Sequence, residues 1–395
     1  MTGYEFRLAG YRLPDEIGQK SEANFNLGDF FAARTQTQYE AKDSTGKIAT
    51  NQLTFKEFTM YPLTGSWGEN FGSLVELSMA PGEGFEVENA FVRGVYGDQA
   101  GWAQARIGVL HPWEGFGASD RPLGNIRPVF QKQQAKGATG AATSPFYLWN
   151  VDEAAFELGY YLPKTGTTVA LRTGQGVIWK ADAKNAADLA DPAQGGALMK
   201  TSPGYPKTGL NDMSYQAFLN QTFNNDSGFS VYYYQTTTPY PNPYGNSYAF
   251  LTTTGDAPTT FTSDSFNRLA VYANWFAIPN MLNLMGGYMW GNDSIDDKSI
   301  DKNAAQSGKS YGYYGEVNYH IIENKLAAGY RYDYFNPAQD ASASYAQTAS
   351  TVFVNYLGFQ HLNLIGDYQT KDSDQGAGKP KKTDNQFLMN LIFIF

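Results

Sequence analysis

The sequence predicts an all-β fold, a transmembrane antiparallel β-barrel of about 16 strands within a range of 14 to 18. Three observations predict it. The chain ends in a run that is apolar at every second position, Phe387, Met389, Leu391, Phe393 and Phe395. The same alternation recurs along most of the chain, which gives each segment one apolar and one polar face. No stretch approaches the ~18 uninterrupted apolar residues of a membrane-spanning helix, in keeping with a mean hydropathy of -0.43.

Composition agrees with this class. The 395 residues are 42% hydrophobic, 15% aromatic and only 17% charged, which excludes a disordered chain or a coiled coil. Twenty-eight Tyr, 26 Phe and 41 Gly point to aromatic strands with many turns, and a barrel of this length forms one domain. Cysteine is absent, which removes disulfides, thiolate metal sites, cysteine nucleophiles and covalent haem attachment. No cofactor is expected on this chain, and any haem would belong to a partner. A net charge of -9 opposes nucleic-acid binding, whose footprint is a basic stripe. Met1-Thr2-Gly3 opens no charged and then apolar leader, so a secretory signal is not expected within this numbering.

Along the chain, residues 1–24 carry Arg7, Arg12, Asp15, Glu16 and Lys20 without a clear period and read as a periplasmic tail or, less simply, a small plug ahead of a barrel at 25–395. Sixteen strands are then expected at about 28–41, 49–61, 73–80, 85–96, 102–111, 153–162, 167–175, 214–224, 228–237, 265–277, 281–291, 310–321, 325–335, 350–358, 361–371 and 384–395, each end good to about 2–4 residues. Leu269, Val271, Ala273 and Trp275 alternate with Arg268 and Asn274, and the turn Ile278-Pro279-Asn280 leads to Leu282, Leu284, Tyr288 and Trp290. Tyr313, Val317 and Tyr319 alternate with Glu316, Asn318 and His320. Tyr330, Tyr332 and Tyr334 alternate with Gly329, Arg331 and Asp333, and Leu362, Leu364, Gly366 and Tyr368 with Asn363, Asp367 and Gln369. An apolar exterior and a polar lumen account for both faces. The join at 62–72 is long for a turn and is the place where a further strand could hide.

The last strand resembles the C-terminal strand of bacterial outer-membrane barrels, whose terminal aromatic residue, here Phe395, is read by the assembly machinery. The resemblance implies an outer-membrane location among lipid and lipopolysaccharide, with the C-terminus in the periplasm. The long joins at about 112–152, 176–213, 238–264 and 292–309 then fall outside the cell, as expected of such barrels. Glu88-Asn89-Ala90-Phe91-Val92-Arg93-Gly94 with Ala105-Arg106-Ile107-Gly108 resembles the strand pair that leads into the constriction loop of 16-stranded porins. By that resemblance 112–152 is the third outer loop, folds into the lumen and constricts it. Homo-oligomers occur in that family. The residues His111 to Pro122 depart from the acidic constriction loop of general porins and are somewhat similar to barrel subunits of porin-cytochrome conduits, in which a barrel encloses a periplasmic multihaem cytochrome.

Strand phase places Arg34, Arg93, Arg106, Arg172, Arg268 and Arg331 on the polar face with Glu76, Glu157, Glu316, Asp333 and Asp367. Charges facing lipid are costly, so these are the pore-lining candidates. Glu114, Asp120 and Arg121 are the candidates on the constriction loop. A guanidinium wall facing acids would create a transverse field acting on polar solutes; the same residues would equally serve as ion pairs that satisfy buried charge. His111, His320 and His361 lie far apart, and no metal site is expected. Asn292, Asp293, Asp296, Asp297 and Asp301 read as a solvated acidic loop rather than a calcium site. No Gly-x-Ser-x-Gly elbow, phosphate loop or Ser, His and acid set is visible, so no catalytic residue is assigned and an enzyme is not expected. Trp275, Trp290, Tyr311 and Tyr334 read as interfacial girdles. The functional expectation is a water-filled porin for passive diffusion of small polar solutes or ions; the alternative is the sheath of a porin-cytochrome complex for electron transfer.

Overall fold

The computed structural model describes residues 31–66, 70–82, 84–98, 100–110, 124–132, 134–136, 142–146, 153–174, 178–179, 198–199, 213–223, 227–240, 262–296, 308–323, 325–339, 341, 343–359 and 362–394. Sixteen long strands form its wall: β1 (Phe31–Ser44), β2 (Thr50–Pro62), β3 (Phe71–Met79), β4 (Glu86–Asp98), β5 (Gly101–Leu110), β6 (Glu153–Leu162), β7 (Thr167–Gly174), β8 (Ser214–Thr222), β9 (Gly228–Tyr240), β10 (Thr262–Ile278), β11 (Leu282–Asp296), β12 (Gly308–Ile322), β13 (Leu326–Asn336), β14 (Gln347–Phe359), β15 (Leu362–Ser373) and β16 (Lys382–Ile394). Each pairs antiparallel with its chain neighbours, and β1 pairs with β16 from Arg34↔Ile394 to Ser44↔Asp384. That last pairing closes the sheet, so no edge strand is left with unpaired backbone groups.

Alternation decides what each face does. Ile107 on β5, Leu171 on β7, Trp275 on β10 and Leu391 on β16 point outward and are exposed, as are Val317, Tyr330 and Val352. Their neighbours one residue along, such as Arg106, Arg172, Glu316 and Arg331, point inward and are buried. A face with exposed apolar side chains around a closed sheet is stable against hydrocarbon, not against water. Among the described residues no helix is long and apolar enough to cross a membrane; a barrel crosses with strands.

One end of the barrel carries short turns and the other the long joins. Asn280, at φ +58°, and Gly166, at φ +66°, supply left-handed residues in two of the turns. The join after β2 holds only a two-residue strand, Gly65–Ser66, which folds back on Gly72 and Ser73. Thr64 Oγ1 holds it there, accepting from Val75 N (3.1 Å) and donating to Val75 O (3.2 Å). It adds no strand to the wall.

Two expected elements run longer than read from the sequence. Strand β10 begins at Thr262 and β11 continues to Asp296, paired up to Ser263↔Asp296. Asn292 and Asp293 therefore belong to the wall. Asp293 is not a solvated loop residue: it is 1% exposed and accepts a hydrogen bond from Arg268 Nη1 at 2.8 Å. His111, His361, Glu114, Asp120, Arg121, Phe395 and residues 1–24 lie outside the described residues.

Candidate functional site: the lumen and its inward loop

Cross-strand register carries a row of charged side chains around one wall of the lumen. Arg93 on β4 stands opposite Arg106 on β5, Arg106 opposite Glu157 on β6, and Glu157 opposite Arg172 on β7. Arg106 grips Glu157 with two donors, Nε to Oε1 and Nη2 to Oε2, both at 2.7 Å. Arg172 adds Nη2 to Oε2 at 2.8 Å and Nε to Oε2 at 3.1 Å from the other side. Phe91 lies beneath Arg106, with its ring centroid 5.2 Å from the guanidinium carbon. Three guanidiniums thus share one row with one carboxylate.

The opposite wall reverses the ratio. Strand β13 is eight strands from β5, half of the sixteen-strand circuit. There Arg331 donates from Nε to Asp333 at 2.8 Å and lies 3.5 Å from Glu316, while Asp367 projects from β15 nearby. Three acids here surround one guanidinium.

Asp367 and Arg331 also hold the chain between β5 and β6 inside the barrel. Asp367 Oδ2 accepts the backbone N–H groups of Asn125 (2.6 Å) and Ile126 (2.8 Å), and Arg331 Nη2 donates to Ile126 O at 2.6 Å. Arg268 on β10 donates from Nε to Phe146 O at 3.0 Å, and its guanidinium lies over the rings of Phe146 and Phe266. The described pieces of this inward loop include a 3₁₀ turn at Val129–Lys132 and the paired short strands Gln134–Lys136 and Ala142–Pro145. Phe130 and Phe146, both fully buried, meet edge to face at 5.9 Å and pack into a cluster of inward Tyr232, Tyr234, Phe266, Tyr272, Met289 and Phe335. Burial of each ring contributes about 1.5–3 kcal/mol. Gly312 makes the seat possible: a Cβ there would lie 2.8 Å from the Phe130 ring. The loop is fixed against β10 and β12–β15, across the lumen from the arginine row.

Every strand residue expected on the polar face is found facing inward, but with different surroundings. Arg93, Arg106, Arg172 and Glu157 form the row; Arg268, Arg331, Glu316 and Asp333 are buried beneath the loop. Arg34 stands apart on β1, bound to Glu57 (2.5 Å) and Thr59 (3.0 Å) and partly exposed. Below it in the same quarter Tyr61 donates to Glu76 at 3.0 Å and Asn89 donates to Glu76 at 2.9 Å. Sequence reasoning missed the aromatic seat. Its signal was present, since Tyr232, Tyr234, Phe266 and Tyr272 make the inward faces of β9 and β10 apolar too, and an apolar lumen wall needs a cover.

No family model matches the chain, and no curated protein does. Solved structures match over nearly its whole length. The outer-membrane channel DcaP of Acinetobacter baumannii aligns with a TM-score of 0.57 at 10% identity, covering 96% of this chain and 100% of that one. Salmonella typhi OmpF, solved with daunomycin, gives 0.55 at 12%, covering 95% and 100%. The anion-selective porin of Comamonas acidovorans gives 0.54 at 11%, covering 92% and 98%. The chain has the porin fold. In this chain the described pieces of the segment between β5 and β6 lie inside the barrel, and the apolar belt runs around its outside.

Proposed function

We propose that the chain is an outer-membrane porin that passes small polar solutes or ions passively along the lumen between the fixed loop and the arginine row. One observation carries this reading: the inward loop is fastened to one wall by Asp367, Arg331 and Arg268, while the other wall presents Arg93, Arg106 and Arg172 in register. A barrel of this size encloses more space than its own side chains fill, so a loop held on one side narrows the lumen without closing it. Guanidiniums on one wall and acids on the other polarise the passage and orient dipolar solutes across it. With the barrel in an outer membrane, the short turns face the periplasm and the long joins the exterior.

The cytochrome-sheath alternative draws less support, because Phe130, Phe146 and their aromatic seat occupy lumen that a folded haem protein would need. Reconstitution into planar bilayers tests the proposal. Expected are stable ohmic conductance steps from the protein alone, and swelling of proteoliposomes in small neutral sugars. A folded barrel that conducts nothing by itself, and that leaves its native membrane with a haem protein bound, contradicts it.

A further inference from the structure

Closure leaves no edge strand within the wall, but above the wall β2 overtops its neighbour. It pairs with β1 along nearly its whole length, from Phe31↔Pro62 to Lys42↔Thr50, whereas β3 meets it only at Phe58↔Met79, Thr59↔Ser78 and Met60↔Leu77. This is the shortest pairing between neighbouring strands of the wall. Beyond it β3 turns back through Pro81 and Gly82 into β4. From Thr50 to Phe55, about 20 Å at strand rise, β2 therefore has a strand on one side only among the described residues. Both faces of the stretch are open. Gln52, opposite inward Glu40, is exposed, and Leu53, in line with outward Met389 through Tyr39, is 71% exposed. The stretch is held firmly rather than frayed, since Thr45 N donates to Thr383 O at 2.9 Å and Thr383 N to Thr45 Oγ1 at 3.1 Å, tying the tip of the β1–β2 hairpin to β16. Proteins ordinarily blunt such edges with charge, Pro or a bulge. Thr50-Asn51-Gln52-Leu53-Thr54-Phe55 carries no charge and no Pro, and the bulge of the hairpin lies at its base, beside Lys56.

We infer that this edge is a docking site for an extended segment of another polypeptide, added as a strand above the β3–β4 turn. Alternate residues of a strand paired on one side point their N–H and C=O groups away from the partner. Thr50–Phe55 therefore offers donors and acceptors at ladder spacing, which a peptide backbone matches and a lipid or a sugar does not. Side chains set the pattern of the occupant: Leu53 and Phe55 favour apolar neighbours on the outer face, Gln52 and Thr54 polar ones on the inner face. A second copy fits poorly. Copies stand upright beside one another in one membrane, so strands tilted by about 40° from the barrel axis cross at about 80° instead of lying alongside. The inference rests on the strand pairing and not on conduction.

Hydrogen exchange in the folded full chain reads the edge directly. Expected without any partner is fast exchange at alternate amides of Thr50–Phe55 and slow exchange at those between them, which bond to β1. Uniform protection across the stretch overturns the inference. A short labelled peptide of alternating Val and Thr is then the probe. It should bind saturably to the barrel in detergent, slow the fast amides at least about tenfold, and bind at least about tenfold more weakly once its own amides are N-methylated. A similar loss is expected against Leu53→Lys combined with Phe55→Lys, which guards the edge with charge and leaves the pairing of β1 with β16 intact. No saturable binding, unmoved exchange at Thr50–Phe55 with peptide bound, or equal affinity for the double variant overturns the inference. Protection that rises with protein concentration in the absence of peptide assigns the edge to a second copy and overturns it as well.

Discussion

Arg106 and Glu157 face each other across β5 and β6 and share two parallel hydrogen bonds of 2.7 Å, while Arg172 binds the same carboxylate from β7. One acid therefore joins three consecutive strands and offsets repulsion between two buried guanidiniums. Glu157→Gln should leave those charges uncompensated, at a cost of about 3–5 kcal/mol. Urea unfolding in detergent should show a lower midpoint for this variant, and an unchanged midpoint would mean that water already screens the row.

Arg93 stands opposite Arg106 at the end of that row. Arg93→Glu places a carboxylate beside Arg106, where the pair is electrostatically favourable, so the variant should fold. Under a salt gradient its reversal potential should move toward cation preference. No movement in a folded variant would remove Arg93 from the conducting path and leave it a structural residue.

Gly312 lies under the Phe130 ring with no room for a side chain. Gly312→Leu should displace the ring and loosen the loop, giving larger and noisier conductance steps. Phe130→Ala should do the same by removing the anchor, whose loss costs about 3–5 kcal/mol in a packed core. Steps as quiet as those of the parent would show that the polar tethers alone hold the loop.

The outer belt makes a separate prediction. Met389 lies near the middle of β16 and points outward, in line with Phe387, Leu391 and Phe393. Met389→Arg should lower barrel stability in lipid by about 2–4 kcal/mol, read from refolding into vesicles across a urea series. Asn390→Arg, one residue along, faces the lumen and should escape that lipid penalty.

The wall was legible in the sequence because a strand's period of two leaves a local record. The alternation from Phe387 to Phe393 gave both the strand and its outward face, and the phase of Arg331 against Tyr330 and Tyr332 fixed the polar side. The contacts that seat the loop left no such record. Arg331 meets Ile126 across 205 positions and Asp367 meets Asn125 across 242, and no local pattern encodes partners that far apart. Asp293 was misread for a related reason: in a run of Asn and Asp after Trp290 its composition suggests a loop, and only the pairing of β10 with β11 and the Arg268 partner keep it in the wall. The aromatic seat fell between these cases, visible as apolar residues on the wrong face but without anything local to name what covers them.

In the proposed porin, the loop fastened to one wall sets the width of the channel. Single-channel conductance of the full chain, compared with a variant in which residues 124–146 are replaced by a short Gly and Ser linker, tests it most directly. Expected are an open channel in the full chain and a larger conductance in the variant, with both barrels folded. Equal conductance in the two, or a full chain that conducts no ions, would contradict it.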